Sequence, residues 1–552
     1  MTTCFEEGSK NAPVLILAEA PGSMEIKIDQ PLVGPSGVEF NSWLTENGLA
    51  RSDCYILNVW EDQVYKDEEG GKRRSDKVFD RYDRILWGEK KGHGFTEEGL
   101  RQAQGTIDRI DRSGANVFVP LGGVAQSLLF GDTRIGKWRG SILESKRFPG
   151  RKQVGTFHPQ YVLRGNYPHR YTCISDIKRA FQQSLFPDIR LIQRNLIVQP
   201  SYSDVISFLQ YIKEDLACVA TDVEVLNHQI SCLCFADSPT QSLCIPMLDG
   251  TGYGARWTEE EEARIWLLIA DIIGHPQIMK VNQNLSFDLW MLFHQNNIIP
   301  RGIYGDCMVA HSIIYPDFPK GLDFLCSVHT DIPYYKDDGK IWQTPEKDPL
   351  KFWRYNALDG CAAFAAWEVL EPELREGGYW NSYEETVQGL FEPLIYMMSK
   401  GIKMDKESLD AVSVRIGEKI QKLQAGLNQL AGRELNPSSP KQCKEYFYGE
   451  KGCREMYNSM GVVTTDDSAM ARIFKRYELP EAKLIQEIRG LRKLKGTYLD
   501  ISFDKDNRLR CSYNIRGTTS YRLSSSETIL ETGTNMQNLV PEVKDFLVAD
   551  PE

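Results

Sequence analysis

The chain has 552 residues, of which 41% are hydrophobic and 26% charged; 65 Lys and Arg stand against 76 Asp and Glu, for a formal net charge of -11. That length predicts three or four domains. The acidic balance excludes a uniformly basic nucleic-acid coat but leaves room for a local basic groove.

No apolar run approaches the roughly 18–20 residues that span a membrane. The N-terminus MTTCFEEGSK lacks the basic-then-apolar plan of a signal peptide. The 13 Cys are scattered and form no C-x-x-C, so reduced thiols and a cytoplasmic location are expected.

Along the chain, VLILAEAPG (Val14–Gly22) reads as a short buried strand running into a Pro-Gly turn. CYILNVW (Cys54–Trp60) and NVFVPLGG (Asn116–Gly123) repeat that plan. Strand, turn and helix in succession predict an α/β sheet with a site at the strand C-termini. Charged, Gly-bearing sequence at Lys66–Gly94 reads as an insertion or exposed loop. A helix is predicted over Ser203–Glu214. The runs ACVATDVEV, ISCLCFAD and SLCIPM then predict a strand meander in a mixed sheet. From about residue 381 the pattern is helical. Leu409, Val412, Ile416, Ile420, Leu423, Leu427 and Leu430 recur at steps of three and four, and Asp405 is placed to cap that helix. Residues 481–522 carry ten Lys and Arg against five Asp and Glu, a patch suited to phosphate neutralisation.

The sharpest chemical signal lies in residues 217–360. Asp222 and Glu224 are two apart in an apolar strand, so both side chains face one way. Like charges held side by side are costly, and a divalent cation with hard oxygen ligands offsets that cost. Asp288 lies in VNQNLSFDLWML and Asp359 in YNALDGCAAF. Tyr355 precedes Asp359 by four, one helical turn. Four carboxylates and a Tyr suit a pair of Mg²⁺ or Mn²⁺ ions about 3.5–4 Å apart. Asp222-Val-Glu224, Gln283-Asn284-Leu-Ser-Phe-Asp288 and Tyr355-Asn-Ala-Leu-Asp359 together resemble the three motifs of the DEDD-type 3'-5' exonuclease of family A DNA polymerases, in the subclass with Tyr in the third. The resemblance implies an RNase H-like domain with Asp222, Glu224, Asp288 and Asp359 as metal ligands. It also implies that Tyr355 orients the attacking water and Asn284 positions the substrate.

The tail resembles the segment that follows this exonuclease in the same family. Phe391–Asp405 is similar to the helix entering the thumb, Asn436–Gln442 to its N-P-x-S-P-K-Q segment, and Glu487–Asp500 to its long helix. The stretch from Arg508 to Leu539 is similar to the start of the palm, with Tyr521 where Gly is usual. By resemblance Arg522 and Gln537 contact DNA near the primer terminus, and Lys493 and Lys495 contact phosphates. The metal-binding palm Asp and the fingers of the family are expected beyond Glu552. The chain is therefore expected to be either a fragment or one part of a polymerase whose palm and fingers lie on a second polypeptide.

Residues 14–183 resemble uracil-DNA glycosylases of the family 4/5 type. The matching segments are Ala18-Glu19-Ala-Pro21-Gly22, Gln30-Pro31-Leu32-Val33-Gly34, Tyr55-Ile-Leu-Asn58-Val59, Trp138-Arg139-Gly140 and Thr156-Phe157-His158-Pro159. The resemblance implies a pocket built from Glu19, Pro21, Gly22, Leu32, Asn58 and His158, entered by a flipped base. Leu32 stands where the family stacks a Phe on uracil, and Gln160 where a small residue follows His-Pro. Cys4, Cys54 and Cys173 cannot supply four cluster ligands, so no iron–sulfur cluster is expected.

The expected architecture is α/β. A three-layer glycosylase-like domain spans residues 1–192. An RNase H-like exonuclease domain with a mixed sheet spans 193–380, and a mostly helical thumb with the beginning of a palm spans 381–552. The expected function is proofreading within a phage-like family A DNA polymerase, by removal of nucleotides from single-stranded 3' ends, with primer-template duplex bound by the thumb. The alternatives are a non-catalytic DNA-binding subunit of a split polymerase and a uracil-excision repair protein.

Overall fold

The computed structural model describes residues 6–60, 94–343, 348–458 and 461–550. Most of the segment read as an exposed insertion, Lys66–Gly94, lies outside the described residues. The chain divides into two compact units, Met1–Gly389 and Leu390–Glu552. No described helix is long and apolar enough to cross a membrane.

The first unit holds two six-stranded sheets. The first sheet uses β1 (Glu6–Glu7), β2 (Val14–Ala18), β3 (Cys54–Asn58), β4 (Val117–Pro120), β5 (Ile142–Glu144) and β6 (Lys152–Val154) in the order β1-β3-β2-β4-β6-β5. Strands β3, β2, β4 and β6 run parallel, and β1 and β5 are antiparallel edges. All five residues of VLILA in β2 are buried, as expected for a central parallel strand covered on both faces. One face packs beneath Phe40, Trp43 and Ile177, from the helices α1 (Pro35–Glu46) and α2 (His169–Ser184). The other packs beneath Leu128, Leu129 and Phe148.

The second sheet uses β7 (Asn195–Ile197), β8 (Cys218–Leu226), β9 (Gln229–Ser238), β10 (Gln241–Pro246), β11 (Met279–Asn282) and β12 (Tyr304–Asp306) in the order β12-β11-β8-β9-β10-β7. The three sequence-predicted strands form its antiparallel centre, β8-β9-β10, while β11 and β12 extend it in parallel from β8. The helix predicted over Ser203–Glu214 is α3 (Tyr202–Asp215), opened by a capping box in which the Ser201 hydroxyl accepts from the Asp204 N–H. Two later helices complete the frame of the site: α4 (Leu285–Asn296) and the long α5 (Pro349–Glu376). Helix α5 lies close against the sheet because Gly360 has no side chain. A Cβ there would sit 2.8 Å from Cys234 Sγ. That approach drops Asp359 beside β8.

The second unit is largely helical. Helix α6 (Lys406–Ala431) starts where expected, with the Asp405 carboxylate accepting from the Ser408 N–H at 3.1 Å. Its apolar stripe serves two cores. Leu409, Val412 and Ile416 pack with Leu499 and Leu509, whereas Ile420, Leu423 and Leu427 pack with Ile473 of α7 (Asp467–Tyr477) and with Ile485 and Ile488 of α8 (Pro480–Leu494). Leu430, counted in the same stripe, is 47% exposed. Tyr521 has φ +63, in the left-handed region that favours glycine.

Candidate active site

Strand β8 carries Asp222 and Glu224 to one face, and α5 presents Asp359 opposite them. Carboxylate oxygens of these three residues lie within 4.8 Å of one another. Asp288, on α4, stands next to the group but is committed to hydrogen bonds. Its Oδ1 accepts from the Val223 N–H at 2.8 Å and its Oδ2 from Asn282 Nδ2 at 2.9 Å.

Two asparagines, unforeseen from the sequence, organise the cluster. Asn282, at the end of β11, also donates to Asp222 Oδ1 at 3.2 Å, so one amide bridges two carboxylates. Asn356, one residue after Tyr355, donates to Asp222 Oδ2 at 2.9 Å and to the Asp222 carbonyl at 3.1 Å. Both side chains are fully buried. Each sits inside a motif-bearing segment, but an amide has no charge or spacing to mark it in advance.

Burial and mutual repulsion dominate the electrostatics. Burial first, and the charge of Asp359 next, push Asp222 up to about 7. Burial and then Asp222 raise Glu224 and Asp288 well above the usual carboxylate range. Asp222 and Glu224, crowded by Asp359 and resisting ionisation, make this group a fitting seat for a divalent cation, which favours their charged forms.

Tyr355 lies one turn before Asp359 on α5, as predicted. Its hydroxyl accepts from Lys336 Nζ at 3.0 Å, and the same ammonium reaches Asp359 Oδ2 at 2.6 Å. The Tyr335 hydroxyl donates to Asp359 Oδ1. Asp359 and Tyr355 hold Lys336 above the ordinary lysine value although burial acts against it. Nothing in the sequence singled out Tyr335 or Lys336, which lie in a loop without periodicity.

Asn284 takes φ +60 at the start of α4, and its backbone N–H donates to Asp306 Oδ1 at 3.2 Å. Buried Asp306 also accepts from the N–H groups of Leu285, Met308 and Val309, so it ties the start of α4 to the end of β12. Burial pushes its carboxyl up to about 6.

The glycosylase-like residues gather at the C-terminal edge of the first sheet, where a parallel sheet opens its crevice. Glu19 follows β2, and its carbonyl accepts from the Trp60 N–H just past β3. Asn58 closes β3 and is buried, and its Nδ2 has no hydrogen-bond partner among the described residues. His158 follows β6 and caps a short helix, its Nδ1 accepting from the Gln160 N–H at 3.2 Å. Burial lowers its imidazole to about 4, so the ring is neutral near pH 7. Pro21 is buried and Gly22 half-buried. Leu32 is buried with φ +49, a strained setting for a branched side chain, in a loop held by Arg51 donating to the Leu32 and Pro31 carbonyls. Cys54 and Cys173 are buried free thiols, which burial pushes up to about 12.

In the second unit, several basic side chains of residues 481–522 are paired with carboxylates. Lys495 binds both oxygens of Asp500 at 2.7 and 2.8 Å, Arg510 binds Asp504 and Asp506, and Arg508 binds Asp550. Lys493 and Arg522 have exposed side chains. Gln537, also exposed, donates to the Leu523 carbonyl at 3.0 Å.

Residues 5–182 match the family model of the uracil DNA glycosylase superfamily, residues 252–375 that of 3'-5' exonucleases, and residues 406–552 that of family A DNA polymerases. The chain is 29% identical over 284 residues to a DNA polymerase I of Rhizobium leguminosarum, covering 49% of this chain and 27% of that protein. It is 27% identical over 342 residues to a DNA polymerase I of a Synechocystis strain, covering 56% and 33%. The chain therefore spans about a third or less of these two curated relatives. Its fold is similar to that of the POL domain of Pol1 from M. smegmatis, solved with DNA primer-template and dNTP, at TM-score 0.50 and 19% identity over 65% of this chain and 59% of that one.

Proposed function

Because the chain belongs, segment by segment, to the uracil DNA glycosylase superfamily, the 3'-5' exonucleases and the family A DNA polymerases, we propose that it removes nucleotides from DNA 3' ends as a proofreading activity in DNA replication. The observation that carries this reading is the convergence of Asp222, Glu224 and Asp359 within 4.8 Å, with Asp288 joined to Asp222 through the Asn282 amide.

In this reading Asp222, Glu224, Asp288 and Asp359 hold two divalent ions, Mg²⁺ or Mn²⁺. When bound, these ions supply a nucleophilic water near neutral pH and stabilise the leaving oxygen of a phosphodiester. Tyr355 would orient the attacking water through its hydroxyl, which Lys336 holds by donating to it. Asn356 and Asn282 fix the rotamer of Asp222 from its two oxygens. Asn284, half-buried at the start of α4, contacts the terminal nucleotide. The thumb-like unit binds duplex through Lys493, Arg522 and Gln537.

The test is digestion of a 5'-labelled single strand with Mg²⁺. The wild-type chain shortens it from the 3' end and Asp222→Ala does not. Digestion that persists in Asp222→Ala sinks the assignment.

A further inference from the structure

The segment Tyr334–Asp337 belongs in sequence to the exonuclease domain but is held from two sides. Its outer residues engage the glycosylase-like domain. The Tyr334 N–H donates to Ser141 Oγ at 3.1 Å, and its ring meets the edge of Trp138 at 5.4 Å between centroids. Lys137 pairs with Asp337, and its ammonium lies over the rings of Trp138 and Tyr334 at 4.3 and 4.7 Å. The two inner residues, Tyr335 and Lys336, reach the opposite way, onto Asp359 and the Tyr355 hydroxyl. Just beyond, Gly339 lies flat on the Tyr355 ring, where a Cβ would stand 2.6 Å from Tyr355 Cζ.

The surrounding interface is closely fitted and buried. Arg139, paired with Asp176 inside the glycosylase-like domain, donates across to Ser327 Oγ at 2.7 Å, and Arg179 donates to the Val328 carbonyl at 3.1 Å. Gly140 has φ +71, and a Cβ on it would meet the Ser327 carbonyl at 2.7 Å. Any side chain there would push the two domains apart. Docking of residues 334 and 337 removes backbone freedom from the two residues between them.

We propose that the glycosylase-like domain is a working part of the exonuclease centre: by docking Tyr334 and Asp337 it places Lys336, a positioning residue that holds the Tyr355 hydroxyl and the Asp359 carboxylate for phosphodiester cleavage. This rests on the exonuclease reading above and adds to it a role for a domain outside the nuclease fold.

The test uses the full chain, with kcat and KM for single-strand digestion and amide exchange of residues 334–337. Lys137→Glu and Trp138→Ala, both outside the exonuclease domain, lower kcat at least tenfold with KM changed less than twofold, and speed exchange of the segment. Adding Asp337→Lys to Lys137→Glu restores most of both signals. Lys336→Met reproduces the loss of kcat, Lys336→Arg keeps most of the rate, and Lys137→Glu costs little more once Lys336→Met is present. Wild-type kcat in Lys137→Glu, or losses that multiply in the double variant, overturns the proposal. If Asp222→Ala digests as fast as wild type, the exonuclease reading fails. Amide exchange then decides the docking separately, and unchanged protection in Lys137→Glu overturns it.

Discussion

Replacing Asn282 by alanine isolates what the amide bridge contributes. Asn282 Nδ2 is the donor that Asp222 Oδ1 and Asp288 Oδ2 share, at 3.2 and 2.9 Å, and its own Oδ1 has no partner among the described residues. The side chain is thus arranged for the carboxylates at the expense of its own acceptor. Hydrogen bonds to charged groups contribute about 1.5–3 kcal/mol each. The longer of the two bonds is the weaker, so the loss on truncation is closer to one full bond than to two. At about 1.4 kcal/mol per decade, that predicts a 10- to 100-fold fall in exonuclease rate at limiting metal, the range found for residues that orient metal ligands. The assay is single-turnover digestion of a labelled strand across a Mg²⁺ titration, with circular dichroism to confirm folding. Raising Mg²⁺ recovers part of the rate in Asn282→Ala. Asn282→Asp, which replaces the donor by a third buried acceptor, is worse at every concentration. A wild-type rate for Asn282→Ala at limiting Mg²⁺ refutes the reasoning, because the bridge would then do nothing for the carboxylates.

Three further outcomes are expected. Arg139→Met leaves the buried Asp176 carboxylate without its partner and destabilises the first unit by about 3–5 kcal/mol in thermal or urea unfolding. Adding Asp176→Leu recovers much of that, since a buried pair replaced by apolar groups is nearly neutral. His158 has a folded value of about 4, below the ordinary imidazole value, so the unfolded chain takes up the extra proton between about pH 6.5 and 4. Stability therefore falls as pH drops through that window, on the order of 1–3 kcal/mol, and His158→Gln flattens that part of the profile. Lys493→Ala weakens duplex binding in fluorescence anisotropy and reduces the salt slope by about one, whereas Lys495→Ala, whose ammonium is held by Asp500, changes the slope less.

The parts of the site that were legible in the sequence are those set by local periodicity. Asp222 and Glu224 share a face because a strand repeats every two residues, and Tyr355 and Asp359 because a helix returns after four. The cap at Asp405 follows the same logic, since its partner lies three residues away. The basic excess of residues 481–522 could be counted from the sequence, but which of its side chains are paired could not, because charge totals do not show pairing. Arg508 finds its carboxylate 42 residues later in the chain.

Tertiary structure decided everything that depends on distant partners. Asn356 meets Asp222 across 134 residues of sequence and Asn282 meets it across 60, while Lys137 meets Asp337 across 200. Such contacts leave no periodic trace, because they arise where sheet order and the close approach of a helix at Gly360 bring separate segments together. The sequence by itself singled out Asp222, Glu224, Asp288, Tyr355 and Asp359 as the residues to propose for the chemistry, since a motif needs only the local geometry of one strand or one helix turn. The fold alone decided which amides, which ammonium and which neighbouring domain hold them in place, because hydrogen-bond partners of buried charges are chosen by proximity in space.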